Sequence, residues 1–225
     1  MQLTRALTAE FLGTFALVFI GAGAVVTDSA SGGQLGLVGV ALAHGIVLAV
    51  MVTAAMRISG GHLNPAVTTA VWLARRIDGP SALLYVAIQL VAGVTAALLV
   101  KALFPVGAGM LTAYGVPRIA SDVSFLQAIV IEAILTLFLV SAVFGTAVSP
   151  EAPAVGGFGI GLVLVFDILA GGPLTGAAMN PSRAFGPAVV AGDWNAQLVY
   201  WVGPLLGAAV GALLWSRVLL PAERH

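Results

Sequence analysis

The stretch Ser59-Gly60-Gly61-His62-Leu63-Asn64-Pro65-Ala66-Val67-Thr68-Thr69-Ala70-Val71-Trp72-Leu73 decides how this chain folds. It is too apolar for a plain surface loop and too short to cross a bilayer, so it reads as a segment that enters a membrane and leaves on the same side. Asn is a preferred helix N-cap, and proline at the next position has its φ preset and no N–H to leave unpaired. A helix is therefore predicted to start at Pro65. Run to Leu73 at 1.5 Å per residue, it spans roughly 14 Å, about half of a ~30 Å hydrocarbon core.

The rest of the sequence is that of a membrane protein. Of 225 residues, 60% are hydrophobic and 8% are charged, against roughly 25% charged in an ordinary soluble domain. A water-soluble surface cannot be made from that. Apolar blocks near the ~20-residue spanning length cover residues 11–26, 35–56, 83–103, 125–148, 155–170 and 198–220, which gives six spans. The first block begins beside Glu10 and has no small-residue cleavage site leading into a soluble domain, so a retained helix is expected rather than a cleaved signal. A formal net charge of zero gives no reason to expect nucleic acid as a partner. The absence of cysteine excludes disulfides and thiolate chemistry. Histidines at 44, 62 and 225 offer neither a metal set nor a nucleophile-base pair, so no metal, no cofactor and no enzymatic activity are expected.

A second copy of the opening motif stands at Gly176-Ala177-Ala178-Met179-Asn180-Pro181-Ser182-Arg183-Ala184-Phe185-Gly186. Each half also opens with a span that carries one early glutamate. Glu10 and Glu132 are 122 residues apart, and Asn64 and Asn180 are 116 apart. The expected organisation is a single transmembrane channel domain over 1–225, with repeat halves of about 1–112 and 113–225. Three spans per half is an odd number, so the second half enters from the opposite face, the inverted-repeat arrangement. Two half-helices entering from opposite faces meet near the midplane, where irregular backbone is tolerable only if buried in protein or lining a watery path. The carbonyls of Gly60, Gly61, His62, Gly176, Ala177 and Ala178 then form a ladder of acceptors along a pore. In orientation, Arg5, Arg57, Arg75, Arg76, Arg217 and Arg224 share one side, and Lys101, Arg118 and Arg183 the other. The richer side should be the cytoplasm, so both termini are expected there, in a protein that crosses the cell membrane several times.

With these motifs assembled, the sequence closely resembles the aquaporin (major intrinsic protein) family over essentially its whole length. The resemblance rests on Gly60-Gly61-His62-Leu63-Asn64-Pro65-Ala66-Val67-Thr68, on Met179-Asn180-Pro181-Ser182-Arg183-Ala184-Phe185-Gly186, and on the two glutamates. It implies an all-α membrane protein with six transmembrane helices and two re-entrant half-helices in an inverted repeat. It also implies a homotetramer with one pore per subunit. The function implied is a passive water channel that excludes protons and ions, with ammonia, urea or hydrogen peroxide as further candidate solutes. Ser182 departs from the usual Asn-Pro-Ala found at Asn64-Pro65-Ala66, but the cap and the preset φ come from Asn and Pro, so the fold should survive.

The family's narrowest ring, carried over by matching positions, is His44, Ile168, Ala177 and Arg183. Its pairing of His44 with Ile168 resembles the plant vacuolar-membrane branch. Glycerol facilitators typically place Asp directly after the arginine and Pro beside an aliphatic residue at the start of span six. Here those places hold Ala184 and Tyr200-Trp201, the water-channel pattern. The alternatives are a glycerol or small-solute facilitator and an ion-coupled secondary transporter, which would normally need an ionisable midplane group where this chain has Asn64 and Asn180.

Several polar residues have expected roles beside the ring. The side-chain oxygens of Asn64 and Asn180 should cap their own helices and leave both NH₂ groups for passing water. Glu10 and Glu132 should accept hydrogen bonds from the loop backbones before each Asn-Pro. Asp167 points about 100° away from Ile168 on a helix and is expected to brace Gly171-Gly172-Pro173 or to pair with Arg183. Gly203, Gly207 and Gly211 should let the last span approach another helix closely.

Overall fold

Every apolar block becomes a helix in the computed structural model, which describes residues 2–220. Arg224 and His225 lie outside the described residues. The spans are α1 (Gln2–Ala30), α2 (Gly36–Ser59), α4 (Gly79–Leu103), α6 (Phe125–Val143), α7 (Phe158–Thr175) and α9 (Val199–Leu214). Wider turns extend α6 through Phe144–Val148 and α9 through Trp215–Leu219. Six helices are thus long and apolar enough to cross a membrane. Between them lie the half-helices α3 (Pro65–Leu73) and α8 (Pro181–Ala191), and a short α5 (Val106–Leu111).

The α3 boundaries agree with the sequence reading, whereas several span boundaries shift, most of all the start of α1 and the end of α7. Helix α1 starts nine residues before Phe11, because backbone hydrogen bonding continues through the polar Thr4, Arg5 and Thr8. Helix α7 continues past Ala170 through Gly171, Gly172 and Pro173. It closes only at Gly176, which sits in the left-handed region (φ 82°) and donates its N–H to Gly172 O at 2.9 Å. Helix α2 ends the same way at Gly60 (φ 92°), with its N–H on Met56 O.

Small residues set how closely the helices approach. A Cβ on Gly207 would collide with the Ala133 carbonyl of α6, and one on Gly203 would lie 2.6 Å from Glu132 Cβ, so the α9 glycines close the α6–α9 contact. Gly45 and Gly161 do the same between α2 and α7, and Gly93 and Gly186 between α4 and α8. Between these closely packed helices runs a narrow cavity with Leu, Ile and Val along much of its wall.

Candidate functional site

The two Asn-Pro motifs meet head to head in the interior. Asn64 is extended (φ −160°, ψ 124°) and its Oδ1 accepts from Ala66 N at 2.8 Å. Asn180 matches it, with Oδ1 accepting from Ser182 N at 2.9 Å and Arg183 N at 3.4 Å. Residue 182 contributes only its backbone N–H to this cap, which any residue but proline would supply, so the Ala-to-Ser departure leaves it intact. Asn64 Nδ2 donates to Met179 O, and Asn180 Nδ2 donates to Leu63 O, both at 2.9 Å. This corrects the expectation that each NH₂ is left for solute. One N–H of each amide is engaged by the opposite loop, and one remains.

Those reciprocal bonds depend on loops held in unusual conformations. Leu63 (φ 52°), Ala177 (φ 45°) and Met179 (φ 50°) occupy the left-handed region without being glycine, at a typical cost of about 1–3 kcal/mol each. Two buried carboxylates hold them there. Glu10 accepts from His62 N (2.9 Å), Leu63 N (2.7 Å) and Ser59 Oγ (2.7 Å). Glu132 accepts from Ala178 N (2.9 Å), Met179 N (2.7 Å) and Thr175 Oγ1 (2.7 Å). Outside them, Tyr85 OH donates to Ser59 O and Tyr200 OH to Thr175 O, at 3.0 and 2.7 Å.

The correspondence stops at one place. Gln89 Nε2 donates both to Glu10 Oε2 (2.8 Å) and to Thr68 Oγ1 (3.0 Å), and His62 Nδ1 lies 3.2 Å from that hydroxyl. On the 116-residue asparagine offset, Thr68 corresponds to Ala184 and His62 to Ala178. The first loop is therefore tied by a longer buried polar chain than the second.

Gly61, His62, Asn64, Ala177, Ala178 and Asn180 line one narrow cavity with His44 and Arg183. Gly60, on the exposed side of its turn, does not line it. The opposite wall is apolar, with Leu17, Leu48, Val52, Leu139, Ile160 and Leu164 among its residues. Space for water-sized centres amounts to about 20 Å³, room for one or two waters at a time. Beyond His44 and Arg183 the space opens into a vestibule of about 360 Å³ lined by Ile168, Gly176, Gly115 and Arg118. His44 and Arg183 border both spaces, Ala177 the inner one and Ile168 the outer one, and all four are buried.

Three contacts fix this junction. Arg183 Nη1 donates to Gly115 O at 2.6 Å, and Nη2 lies 3.5 Å from His44 Nε2. His44 Nδ1 is 2.9 Å from Val40 O, which makes it the donor nitrogen and turns Nε2 toward the guanidinium as acceptor. Two glycines that the sequence reading missed shape the place. Gly115 (φ 88°) packs on α1, where a Cβ would lie 2.7 Å from Ala22 Cβ, and a Cβ on Gly21 would collide with His44 Nε2. No local pattern marks either glycine. Tyr85 and Tyr200 could have been found, since they repeat at nearly the spacing of the asparagines.

Asp167 takes neither of its expected roles. Both of its carboxylate oxygens are buried without a hydrogen-bond partner among the described residues. Arg183 is directed to Gly115 and His44, and the Gly171-Gly172-Pro173 segment is helix rather than a loop that needs bracing. No described group of His, Asp or Glu could hold a metal ion.

Comparison with known proteins places this geometry among others. The family model described as Major intrinsic protein matches residues 1–215. Aquaporin TIP4-4 of Zea mays is 43% identical over 98% of this chain and 89% of its own length. Aquaporin TIP4-1 of Arabidopsis thaliana is 46% identical over 96% of this chain and 86% of its own. A solved structure, the aquaglyceroporin from Plasmodium falciparum, superposes with a TM-score of 0.83 over 96% of both chains at 23% identity, a likeness of fold alone.

Proposed function

Because the chain belongs to the major intrinsic protein family, we propose that it is a passive water channel, with one pore running between its two repeat halves. The observation that carries this reading is the head-to-head meeting of two Asn-capped half-helices beside a cavity with room for only one or two waters. Each half-helix N-terminus brings a partial positive charge of about half an elementary charge to the midplane. The remaining N–H of Asn64 and of Asn180 donates to a passing water, while a hydronium or other cation is repelled. This use of lining hydrogen-bond groups and half-helix dipoles is the general mechanism of aquaporins. The halves divide near residue 112. The protein sits in the cell membrane with both termini in the cytoplasm, and it assembles as a homotetramer.

The ring of His44, Ile168, Ala177 and Arg183 sets which solutes follow water. Three of its groups are small, aliphatic or a neutral imidazole acceptor, so ammonia, urea and hydrogen peroxide are the further solutes it would admit. Stopped-flow shrinkage of proteoliposomes tests the main claim, and water permeability no higher than that of empty vesicles overturns it. Glycerol flux that matches water flux in the same vesicles would favour a glycerol facilitator.

Two substitutions probe the ring. His44→Phe should keep water permeability and narrow the range of other solutes, and an unchanged solute profile would remove His44 from the constriction. Gly21→Ala should push the imidazole off its place between Val40 O and Arg183. An off-rotamer ring costs roughly 0.5–1.5 kcal/mol, so water permeability should fall about twofold or more. Permeability equal to wild type would mean that His44 can retreat without narrowing the path.

A further inference from the structure

We infer that the outer vestibule is a binding site for a small organic carboxylate, which seats its anionic head at Arg183 and Arg118 and its apolar body against the vestibule wall, and so plugs the mouth of the pore. The space is about 360 Å³, within the ~300–1,000 Å³ usual for small-molecule pockets. Two guanidiniums line it, one from the first turn of α8 and one from the segment between α5 and α6, and among the described residues no Asp or Glu does. Most of the remaining lining is apolar, with Leu37, Val40, Val116, Pro117 and Ile168. Two cations on an apolar wall match a ligand with a carboxylate at one end and a hydrocarbon body at the other, because the guanidinium fork fits a carboxylate through paired N–H donors.

Both arginines have donors to give. Arg183 is 5% exposed, with Nη1 on Gly115 O and Nη2 facing His44, and its Nε is buried without a hydrogen-bond partner among the described residues. A buried donor with no acceptor is costly, and a carboxylate that enters the vestibule supplies one. The Arg118 side chain is 60% exposed, and its contact with Asp193, Nη2 to Oδ2 at 3.8 Å, is too long for a hydrogen bond. That loose pair leaves the guanidinium open to exchange, so an incoming carboxylate competes with Asp193 for it. The ligand goes no farther, because past Arg183 and His44 the path narrows to about 20 Å³. The site lies on the solute path, which stays open in any assembly of the protein, so it is independent of which outer helix faces are covered. Plugging rests on the channel reading above, whereas binding does not.

The test is isothermal titration calorimetry of the purified full-length protein in detergent at neutral pH, with sodium benzoate beside benzamide, acetate and inorganic phosphate. Benzoate should bind at least about tenfold more tightly than benzamide, which lacks the charge, and than acetate, which lacks the apolar body. Arg118→Gln should weaken benzoate by about threefold to fivefold, the worth of an exposed charge contact. Asp193→Asn should tighten it by a similar factor. That substitution removes the competing charge and keeps the Oδ1 that accepts from Asn195 N and Nδ2. In proteoliposomes with benzoate on both sides, water flux should fall over the same concentration range. Phosphate that binds as tightly as benzoate overturns the inference, since the site would then read charge alone. Benzoate binding that neither rim variant changes also overturns it, by placing the ligand elsewhere. So does benzoate that binds as expected yet leaves the flux of a working channel unchanged. If the protein passes no water at all, the channel reading fails, and calorimetry on the two variants still decides the site.

Discussion

Glu132→Leu should lower thermal stability by about 10 °C or more and abolish most of the water flux. The carboxylate is the partner of three donors at once: Thr175 Oγ1, Ala178 N and Met179 N. Leucine fits the volume but accepts nothing, and each buried donor left unsatisfied costs about 1–3 kcal/mol. For three donors this is roughly 3–9 kcal/mol, and a chain of this size shifts by about 2–4 °C per kcal/mol. Flux falls because the same bonds hold Ala177 and Met179 at positive φ. Once released, Met179 no longer presents its carbonyl to Asn64, and the head-to-head contact opens. Gln89→Leu is the matched control. It removes one of the donors on Glu10, and the bond to Thr68 Oγ1, but leaves the three donors that Glu132 also has, so the loss should be closer to about 1–2 kcal/mol. Circular-dichroism melting of the detergent-solubilised protein, paired with vesicle shrinkage, separates the two. A Glu132→Leu protein within about 1 kcal/mol of wild type would mean that the loop holds its own strained shape.

The contrast between Glu132 and Asp167 shows how far the sequence carries. Glu10 and Glu132 stand at matching places in a repeat, so a shared structural duty could be read from spacing. The half-helix boundary at Asn64-Pro65 was legible for a similar reason, because cap preference and a preset φ act within two residues. Asp167 has no counterpart to compare with, and its surroundings are set by where α7 ends. The sequence places that end at Ala170, five residues early, because Gly171-Gly172-Pro173 reads as a loop until the tertiary structure supplies Gly176 as a left-handed cap. The hold on Arg183 was hidden for another reason. Its partner is a backbone carbonyl, at Gly115, and any residue there would supply one. What selects glycine is the approach of Ala22 from another helix, which no local pattern records.

Arg183→Ala should separate the two barriers of the pore. The guanidinium occupies the junction between the ~20 Å³ inner cavity and the ~360 Å³ vestibule, and alanine removes both its bulk and its charge there. Glycerol and urea permeability should rise about tenfold or more, which corresponds to roughly 1.4 kcal/mol or more of lost discrimination. Water permeability should change by no more than about threefold, since the apolar wall and the two asparagines deeper in the path are untouched. Protons should still be excluded. Asn64 and Asn180 keep their caps, and both half-helix N-termini still direct positive ends at the midplane. Arg183→Lys is the informative companion, because it keeps the charge but has a single ammonium in place of the planar fork that reaches Gly115 O and His44 Nε2 together. If charge alone governs the ring, Lys behaves as wild type, whereas if fixed width governs it, Lys passes urea nearly as well as Ala. A pH-sensitive dye trapped in the same vesicles reports the last step. Rapid acidification through Arg183→Ala would mean that the arginine, and not the pair of half-helices, is what stops the proton.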